Sequence, residues 1–303
     1  MEIVYSFIIP HRNVPHLLKR CLDSIPERPD IETIIVDDNS DLSTIGECDF
    51  PGTNRLNTKI IFLDHSRSKG AGRARNEGLK VAVGRWILFA DADDFFTDKL
   101  PALLDKYKDD EVHDIVYLNS QIVNDRKEYL SGPFSNYFER YKLGREHAEE
   151  VLRYYMWTPW SRMVKKRIID DHNIVFDEIP VANDQVFSLN CSKYANTINV
   201  EYSIIYNYYK PETGSITDKY AMKTSNVLSR LNTQQKVNQL YREVHFPYLG
   251  SFSVQFLSYL RMVENKKELC SVFYKFIREN KICLLSDLRN LCRRQVAKLR
   301  GVI

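Results

Sequence analysis

Short apolar runs alternate with amphipathic stretches through the first third of the chain. Tyr5–Ile9, Thr33–Val36, Lys59–Leu63, Trp86–Ala90 and Asp114–Leu118 are rich in branched and aromatic residues, which predicts strands. Between them, Pro15–Ile25 places Leu17, Leu18, Cys21, Leu22 and Ile25 at helical spacing. Gly70–Val83 does the same with Ala71, Ala74, Gly78, Leu79 and Ala82. Strands that are apolar on both faces and alternate with helices imply an α/β fold, a mostly parallel central sheet covered on both sides. Such sheets bind ligands beyond the carboxyl ends of their strands. Three polar sequences stand at those ends: Pro10-His11-Arg12-Asn13, Asp37-Asp38-Asn39-Ser40 and Asp91-Ala92-Asp93-Asp94. One shared site at one sheet edge is the expectation.

The pattern changes near residue 120. Gln121–Arg145 is polar and aromatic with turn signals and reads as a loop excursion. Helices are predicted over Glu146–Tyr155, Lys166–Asn173 and Asn183–Tyr194, an extended segment over Trp157–Trp160, and two strands split by a turn over Thr197–Tyr209. Beyond about residue 220 the chain reads as helices. The expected organisation is one unit over residues 1–220, with residues 1–120 serving a nucleotide and 121–220 an acceptor, then a helical extension over 221–303.

Composition narrows the function classes. The 303 residues are 44% hydrophobic and 27% charged, an ordinary globular balance, and a net charge of +3 gives no reason to expect a nucleic-acid partner. The short apolar run at the N-terminus ends at Pro10 without a basic lead, which argues for a strand rather than a signal peptide. Six scattered cysteines with no CxxC pair suggest neither zinc nor a disulfide framework, so a reducing cytoplasm is expected.

The chemistry-bearing residues are acidic. Asp91 and Asp93, one residue apart at a strand end, suit Mn²⁺ or Mg²⁺, hard cations that bridge carboxylates to phosphate oxygens. The same cluster could instead cap a helix starting near Asp98-Lys99. Asp37-Asp38 is either turn chemistry or a carboxylate for a base or ribose. Lys69-Gly70-Ala71-Gly72-Arg73-Ala74-Arg75-Asn76 opens a helix. A glycine turn feeding a cationic helix start suits a diphosphate, and a solvated basic face is the other reading.

Taken in order, Ser6–Asn13, Ile35–Ser40, Gly72–Leu79 and Gly84–Asp94 closely resemble glycosyltransferase family 2, inverting enzymes with the GT-A fold. Trp160–Ile169, Asn173–Glu178, Asn183–Phe187, Tyr206–Tyr209 and Gly214–Thr217 continue that resemblance. It implies a nucleoside-diphosphate sugar donor, with UDP the expected nucleotide, and a glycan or lipid-linked acceptor in cell-surface polysaccharide assembly. It implies that Asp38 holds the nucleobase beside Pro10 and Arg12, and that Lys69, Arg73, Asn76, Asp91 and Ala92 serve the nucleotide-sugar. Asp93, with Asp91, would ligate the metal. Asp184 stands where the family carries its general base, the carboxylate that deprotonates an attacking hydroxyl; an N-cap of the next helix is its bland role. Trp160 and Asn183 would meet the acceptor.

Two positions depart from the family pattern. Asn183 replaces a common Glu, which suggests a silent sugar-binding module as the alternative function. His11-Arg12 replaces a Thr-aromatic pair. A nucleotidyltransferase is the third reading, and the absence of glycine from Pro10–Asn13 argues against it. In the tail, Leu288, Leu291, Cys292, Val296 and Leu299 share a helical face among Arg289, Arg293, Arg294, Lys298 and Arg300. Residues 288–303 are therefore expected either to rest peripherally on the inner, anionic membrane face or to pack on the domain. A homodimer is compatible with all of this.

Overall fold

A computed structural model describes residues 2–41, 50–64, 66, 70–211, 223–261, 263, 265–299 and 301. Its centre is a nine-stranded sheet. The strands are β1 (Tyr5–His11), β2 (Ile31–Asp37), β3 (Thr58–Phe62), β4 (Trp86–Phe89), β5 (Phe95–Phe96), β6 (Ile115–Val123), β7 (Tyr129–Ser131), β8 (Arg162–Lys165) and β9 (Ile198–Tyr209). Their order is β3-β2-β1-β4-β8-β6-β9-β5, with β7 pairing β6 outside that path. Strands β3, β2, β1 and β4 are parallel, and β8 runs antiparallel between β4 and β6. The helices before the C-terminal region are α1 (Pro15–Asp23), α2 (Ala71–Val81), α3 (Leu100–Tyr107), α4 (Ser135–Lys142), α5 (Ala148–Tyr155), α6 (Lys166–Asp171) and α7 (Gln185–Tyr194).

Strand alternation sorts the core into two layers. Tyr5, Phe7 and Ile9 of β1 point to one face with Trp86 and Leu88, where α1 and α3 cover them through Leu18, Leu22, Leu103 and Leu104. Ile8, Ile34, Val36, Ile87 and Phe89 point to the other face, against Ala74, Leu152, Ile168, Phe187 and Cys191. All seven residues of β1 are buried, as are all seven of β2, which is why these segments lack polar alternation.

Three sequence expectations need correction. Gln121–Arg145 is not one loop: β6 runs to Val123, β7 follows, and α4 buries Phe138. The polar residues of that stretch belong to an exposed hairpin and the outer face of a short helix, which obscured the pattern. The predicted turn inside Thr197–Tyr209 is instead a register shift between β6 and a single continuous β9. Asp91–Asp94 does not cap the next helix, because β5 intervenes and Lys99 holds the cap position of α3.

The C-terminal helices are α8 (Thr224–Glu243), α9 (Phe252–Leu260), α10 (Lys266–Glu279) and α11 (Leu284–Leu299). Val237 and Tyr241 of α8 join Val151, Tyr155 and Leu189 in one cluster, so α8 is seated on α5 and α7. Val227, Leu231, Phe252, Leu269 and Phe276 form another around α8, α9 and α10. Asp287 fastens α11. It is buried and accepts from Ser251 Oγ at 3.0 Å and from the N–H groups of Phe252 and Ser253 at 2.8 and 2.9 Å. Those N–H groups open α9, where a carboxylate also complements the helix dipole. The tail therefore packs on the fold, and its expected apolar face is divided. Leu291, Arg294 and Lys298 line a cavity against the domain, while Leu285, Leu288, Val296 and Leu299 are exposed. Among the described residues, no helix is long and apolar enough to cross a membrane.

Gly72 sets how closely α2 approaches the segment before α7. A Cβ there would lie 2.2 Å from the Asp177 carbonyl oxygen and 3.1 Å from Asn183 Cβ. Alanine gains about 1 kcal/mol of helix propensity over glycine, but a backbone oxygen cannot step aside as a side chain can. Gly72→Ala is therefore expected to cost about 1–3 kcal/mol net, as overpacking does, read as a lower urea midpoint at unchanged m-value.

Candidate active site

The carboxyl ends of β1, β2 and β4 meet as expected, and hydrogen bonds lock them there. His11 Nε2 accepts from the Val14 N–H at 3.2 Å, so Nδ1 carries the proton and donates to Asp37 Oδ2 at 2.7 Å. Asp37 also accepts from the Ser40 N–H at 2.8 Å and its hydroxyl at 2.5 Å. Burial pushes the Asp37 carboxyl up, but the His11 and Ser40 hydrogen bonds outweigh it and hold the group below its usual range. Asp37 is thus the framework acid of this pair of aspartates.

Asp38 joins two of these ends to α2. Its N–H donates to the His11 carbonyl at 2.8 Å, and its Oδ2 accepts from the Gly70 N–H at 3.0 Å. Gly70 has φ +86°, a conformation that favours glycine, immediately before the helix. Arg12, with its side chain about half exposed, reaches within 3.8 Å of Asp38 Oδ2, while Pro10 is buried in β1. Lys69 and Gly214–Thr217 lie outside the described residues.

The acidic turn divides its aspartates by environment. Asp94 is fully buried and accepts from the Tyr209 N–H at 2.7 Å; burial and the charges of Asp93 and Asp91 hold its carboxyl well above the usual range. The Asp91 N–H donates to the Tyr206 hydroxyl at 3.0 Å. Ala92 is buried. Arg20 stacks between Phe95 and Tyr209 and donates to the Asp93 carbonyl at 2.6 Å. Asp91 and Asp93 are both partly buried. Burial and the Asp91 charge push Asp93 up to about 6. No group of three His, Cys, Asp or Glu side chains that could hold a metal forms among the described residues, and Asp91 and Asp93 are two crowded carboxylates of the oxygen type that hard cations take.

Helix α2 presents one arginine to this turn, and it is Arg75. Buried Arg75 donates to Asp91 Oδ1 at 2.6 Å and to Asn183 Oδ1 at 3.1 Å. Arg73 turns away, bound to Glu178 at 2.9 Å and Glu77 at 2.7 Å. Asn76 is also committed elsewhere: its amide donates to the Phe176 carbonyl at 3.0 Å and accepts the Phe176 N–H at 2.8 Å, like one rung of a ladder. The helix repeat explains the difference. Arg75 falls on the Ala71, Gly78, Ala82 stripe that meets the sheet, and Arg73 does not.

Asp184 stands across from the turn at the head of α7. It occupies the cap position, yet its side chain makes no capping hydrogen bond. Burial pushes its carboxyl up; Arg75 draws it down, Asp91 raises it and Arg230 lowers it, with a net rise. Its neighbour Asn183 is tied through Arg75 to Asp91, which keeps the head of α7 close to the turn. Trp160 corrects an expectation. It is 4% exposed and stacked on Tyr206 at 4.9 Å and Tyr208 at 5.7 Å, so it supports Tyr206 from beneath and offers no face to an acceptor. Trp157, three residues earlier, is the exposed one, because Pro159–Ser161 form a single 3₁₀ turn that swings the two indoles apart.

Known proteins resemble this chain in sequence and in fold. The poly(ribitol-phosphate) beta-N-acetylglucosaminyltransferase TarS of Staphylococcus aureus is 27% identical over 220 residues, covering 69% of this chain and 36% of TarS. Glycosyltransferase EpsJ of Bacillus subtilis is 27% identical over 224 residues, 70% of this chain and 62% of EpsJ. The chain thus spans less than two thirds of the length of either relative. Among solved structures, S. aureus TarS in complex with UDP-GlcNAc superposes with a TM-score of 0.70 at 22% identity, over 91% of this chain and 81% of that one. The mannosyltransferase PcManGT of Pyrobaculum calidifontis, in complex with GDP-Man and Mn²⁺, gives 0.54 at 13% identity, over 99% and 81%. The fold is of the GT-A type. The sequence profile of glycosyl transferase family 2 matches residues 6–159, and the chain belongs to that family.

Proposed function

We propose that this chain is an inverting, metal-dependent glycosyltransferase that moves a sugar from a UDP-sugar to a hydroxyl of a cell-surface glycan or lipid-linked acceptor. The observation that carries the reading is the facing pair of acids. Asp91 and Asp93 lie at the strand ends, and Asp184 stands opposite with no cap to hold, the two sides joined by Arg75 through Asp91 and Asn183. The relatives and the UDP-GlcNAc complex of TarS support the donor class.

In this reading Asp38, Pro10 and Arg12 hold the nucleoside, and Gly70 brings the start of α2 to the diphosphate. Asp91 and Asp93 would hold Mn²⁺ or Mg²⁺, which supplies Lewis-acid neutralisation of the leaving diphosphate. Asp184 takes the proton of the acceptor hydroxyl. That oxygen bonds to the anomeric carbon as the bond to the diphosphate oxygen breaks, and the nucleoside diphosphate leaves with the electron pair. Displacement from the opposite face inverts the anomeric centre in one step, with no covalent enzyme intermediate. Asn183 retains the Arg75 hydrogen bond that a Glu would make, so the departure from the family pattern leaves this positioning contact intact.

Asp184→Asn should lower transfer by at least about 10²-fold, the scale of a general base, with UDP-sugar binding by calorimetry unchanged. Because burial raises its pKa, Asp184 loses its base form at a higher pH than an exposed aspartate, whose pKa is about 3.9. The rate in the wild type should therefore fall on acidification with an apparent pKa above that value, and this acid limb should be missing from the residual activity of Asp184→Asn.

A cation relieves the repulsion between Asp91 and Asp93, so Mn²⁺ should tighten UDP binding relative to EDTA in the wild type and leave Asp93→Ala unaffected. Equal affinity with and without metal in the wild type would sink the metal assignment. The outward face of α11, Leu285, Leu288, Val296 and Leu299 beside Arg289 and Arg293, is proposed to rest on anionic membrane. Co-sedimentation with anionic vesicles should be lost in Leu285→Gln/Leu288→Gln, and retention would remove this assignment.

A further inference from the structure

Beyond Asp184 the structure contains a second cavity, of about 320 Å³, enclosed by α5, α7, α8, α9 and α11. Its walls include Trp157, Gln185, Arg230, Gln234, Arg294 and Lys298. None of Arg230, Arg294 and Lys298 forms an ion pair with a carboxylate among the described residues, although elsewhere cations and acids pair freely. Arg230 Nε is buried with no hydrogen-bond partner among the described residues. Arg294 lies 5.5 Å from the centre of the Tyr155 ring, which fixes its plane without neutralising it. Ser251 on the same wall is bound to Asp287, but that carboxylate already accepts three hydrogen bonds. The cavity thus gathers three cationic side chains, Arg230 and Arg294 partly buried and Lys298 exposed, and no carboxylate stands among its lining residues, an arrangement that attracts an anion.

Its position links it to the transfer site. Gln185 directly follows Asp184 at the head of α7 and contributes to the wall, and the Arg230 charge is felt at Asp184. The acidic turn repels anions that no metal accompanies, which favours this cavity over the turn for an anionic ligand. Guanidinium forks match phosphate oxygens, the glutamine amides match hydroxyls, and Trp157 offers an apolar face to a carbon chain or ring.

We infer that this cavity is an acceptor subsite for a phosphodiester-bearing strand, in which Arg230, Arg294 and Lys298 hold a backbone phosphate of a polyol- or sugar-phosphate polymer while a neighbouring hydroxyl reaches Asp184. The inference rests on the glycosyltransferase reading and adds the acceptor's charge to it. It also gives α11 two roles by face, with Arg294 and Lys298 turned to the acceptor and Arg289 and Arg293 turned outward.

The test is calorimetric binding to the full chain, without turnover, of a glycerol-phosphate oligomer and of a neutral malto-oligosaccharide of similar length. The wild type should bind the charged oligomer more tightly, with affinity falling as salt rises. Arg294→Gln/Lys298→Gln should weaken that binding by at least about tenfold, the scale of lost hydrogen bonds to charged groups. Arg230→Gln, on a different helix, should do the same if the double variant unfolds. Binding of UDP should be unchanged in both, which separates a failed subsite from a failed donor assignment. Equal affinity for the charged and neutral oligomers, or variants that bind like the wild type, would overturn the subsite. So would a double variant that loses anionic-vesicle binding while keeping the oligomer, since that outcome places the phosphate in a lipid headgroup.

Discussion

A buried arginine holds the two halves of this site together. Arg75 has almost no access to water, so its charge must be answered by the protein, and Asp91 and Asn183 answer it. Those partners belong to the turn after β4 and the approach to α7. The guanidinium is the direct bridge between them, beside the separate ties that hold each element to the fold. Breaking one arm would leave an uncompensated buried charge, a larger penalty than the loss of one hydrogen bond. Asn at 183 accepts a hydrogen bond from Arg75 without a negative charge, so Asp91 is the carboxylate in direct contact with Arg75. The balance also bears on Asp184, whose carboxyl feels Arg75 as its strongest stabilising charge yet remains raised by burial.

The same economy of charge separates aspartates that look alike in the chain. Asp37 and Asp94 are withdrawn into the framework, one fixed by His11 and Ser40, the other by the Tyr209 backbone. Asp38 beside the first holds the start of α2 through Gly70, and Asp91 and Asp93 beside the second are partly exposed. Each pair or triplet thus contains an acid that builds the turn and an acid that the turn presents. This division explains why adjacent acidic residues are useful at strand ends: a single aspartate could not both anchor the loop and remain available to a ligand.

How much of this was legible in the sequence follows from which forces are local. Apolar runs located β1 to β4 and the helices between them, because burial on both faces leaves a direct mark on composition. The three polar strand ends located Asp38, Asp91 and Asp93 at one edge of the sheet, as the parallel pairing of β1 with β2 and β4 requires. Choosing Arg75 over Arg73 required the phase of α2 against the sheet; the Ala71, Gly78, Ala82 stripe carried that signal, but the motif alone did not. Trp160 was misread because a buried stacked indole and a sugar platform have the same letter, and the 3₁₀ turn that separates it from Trp157 has little sequence signature. The antiparallel β8, the bulge in the β6–β9 pairing and the division of α11 into two faces depend on contacts distant in the chain.

The bonds from Tyr206 and Tyr209 to the acidic turn have a bearing on how the protein is made. The Asp91 N–H rests on the Tyr206 hydroxyl and Asp94 receives the Tyr209 N–H, each across 115 residues of chain. A nascent polypeptide can pair β1, β2, β3 and β4 soon after they emerge, but it cannot seat this turn until β9 has left the ribosome. Long-range closure of this kind slows folding and leaves an incomplete sheet exposed while synthesis continues. The strands that carry the acidic turn are contiguous in sequence, yet the turn is completed only when β9 has been synthesised, which ties the two regions to a single folding event.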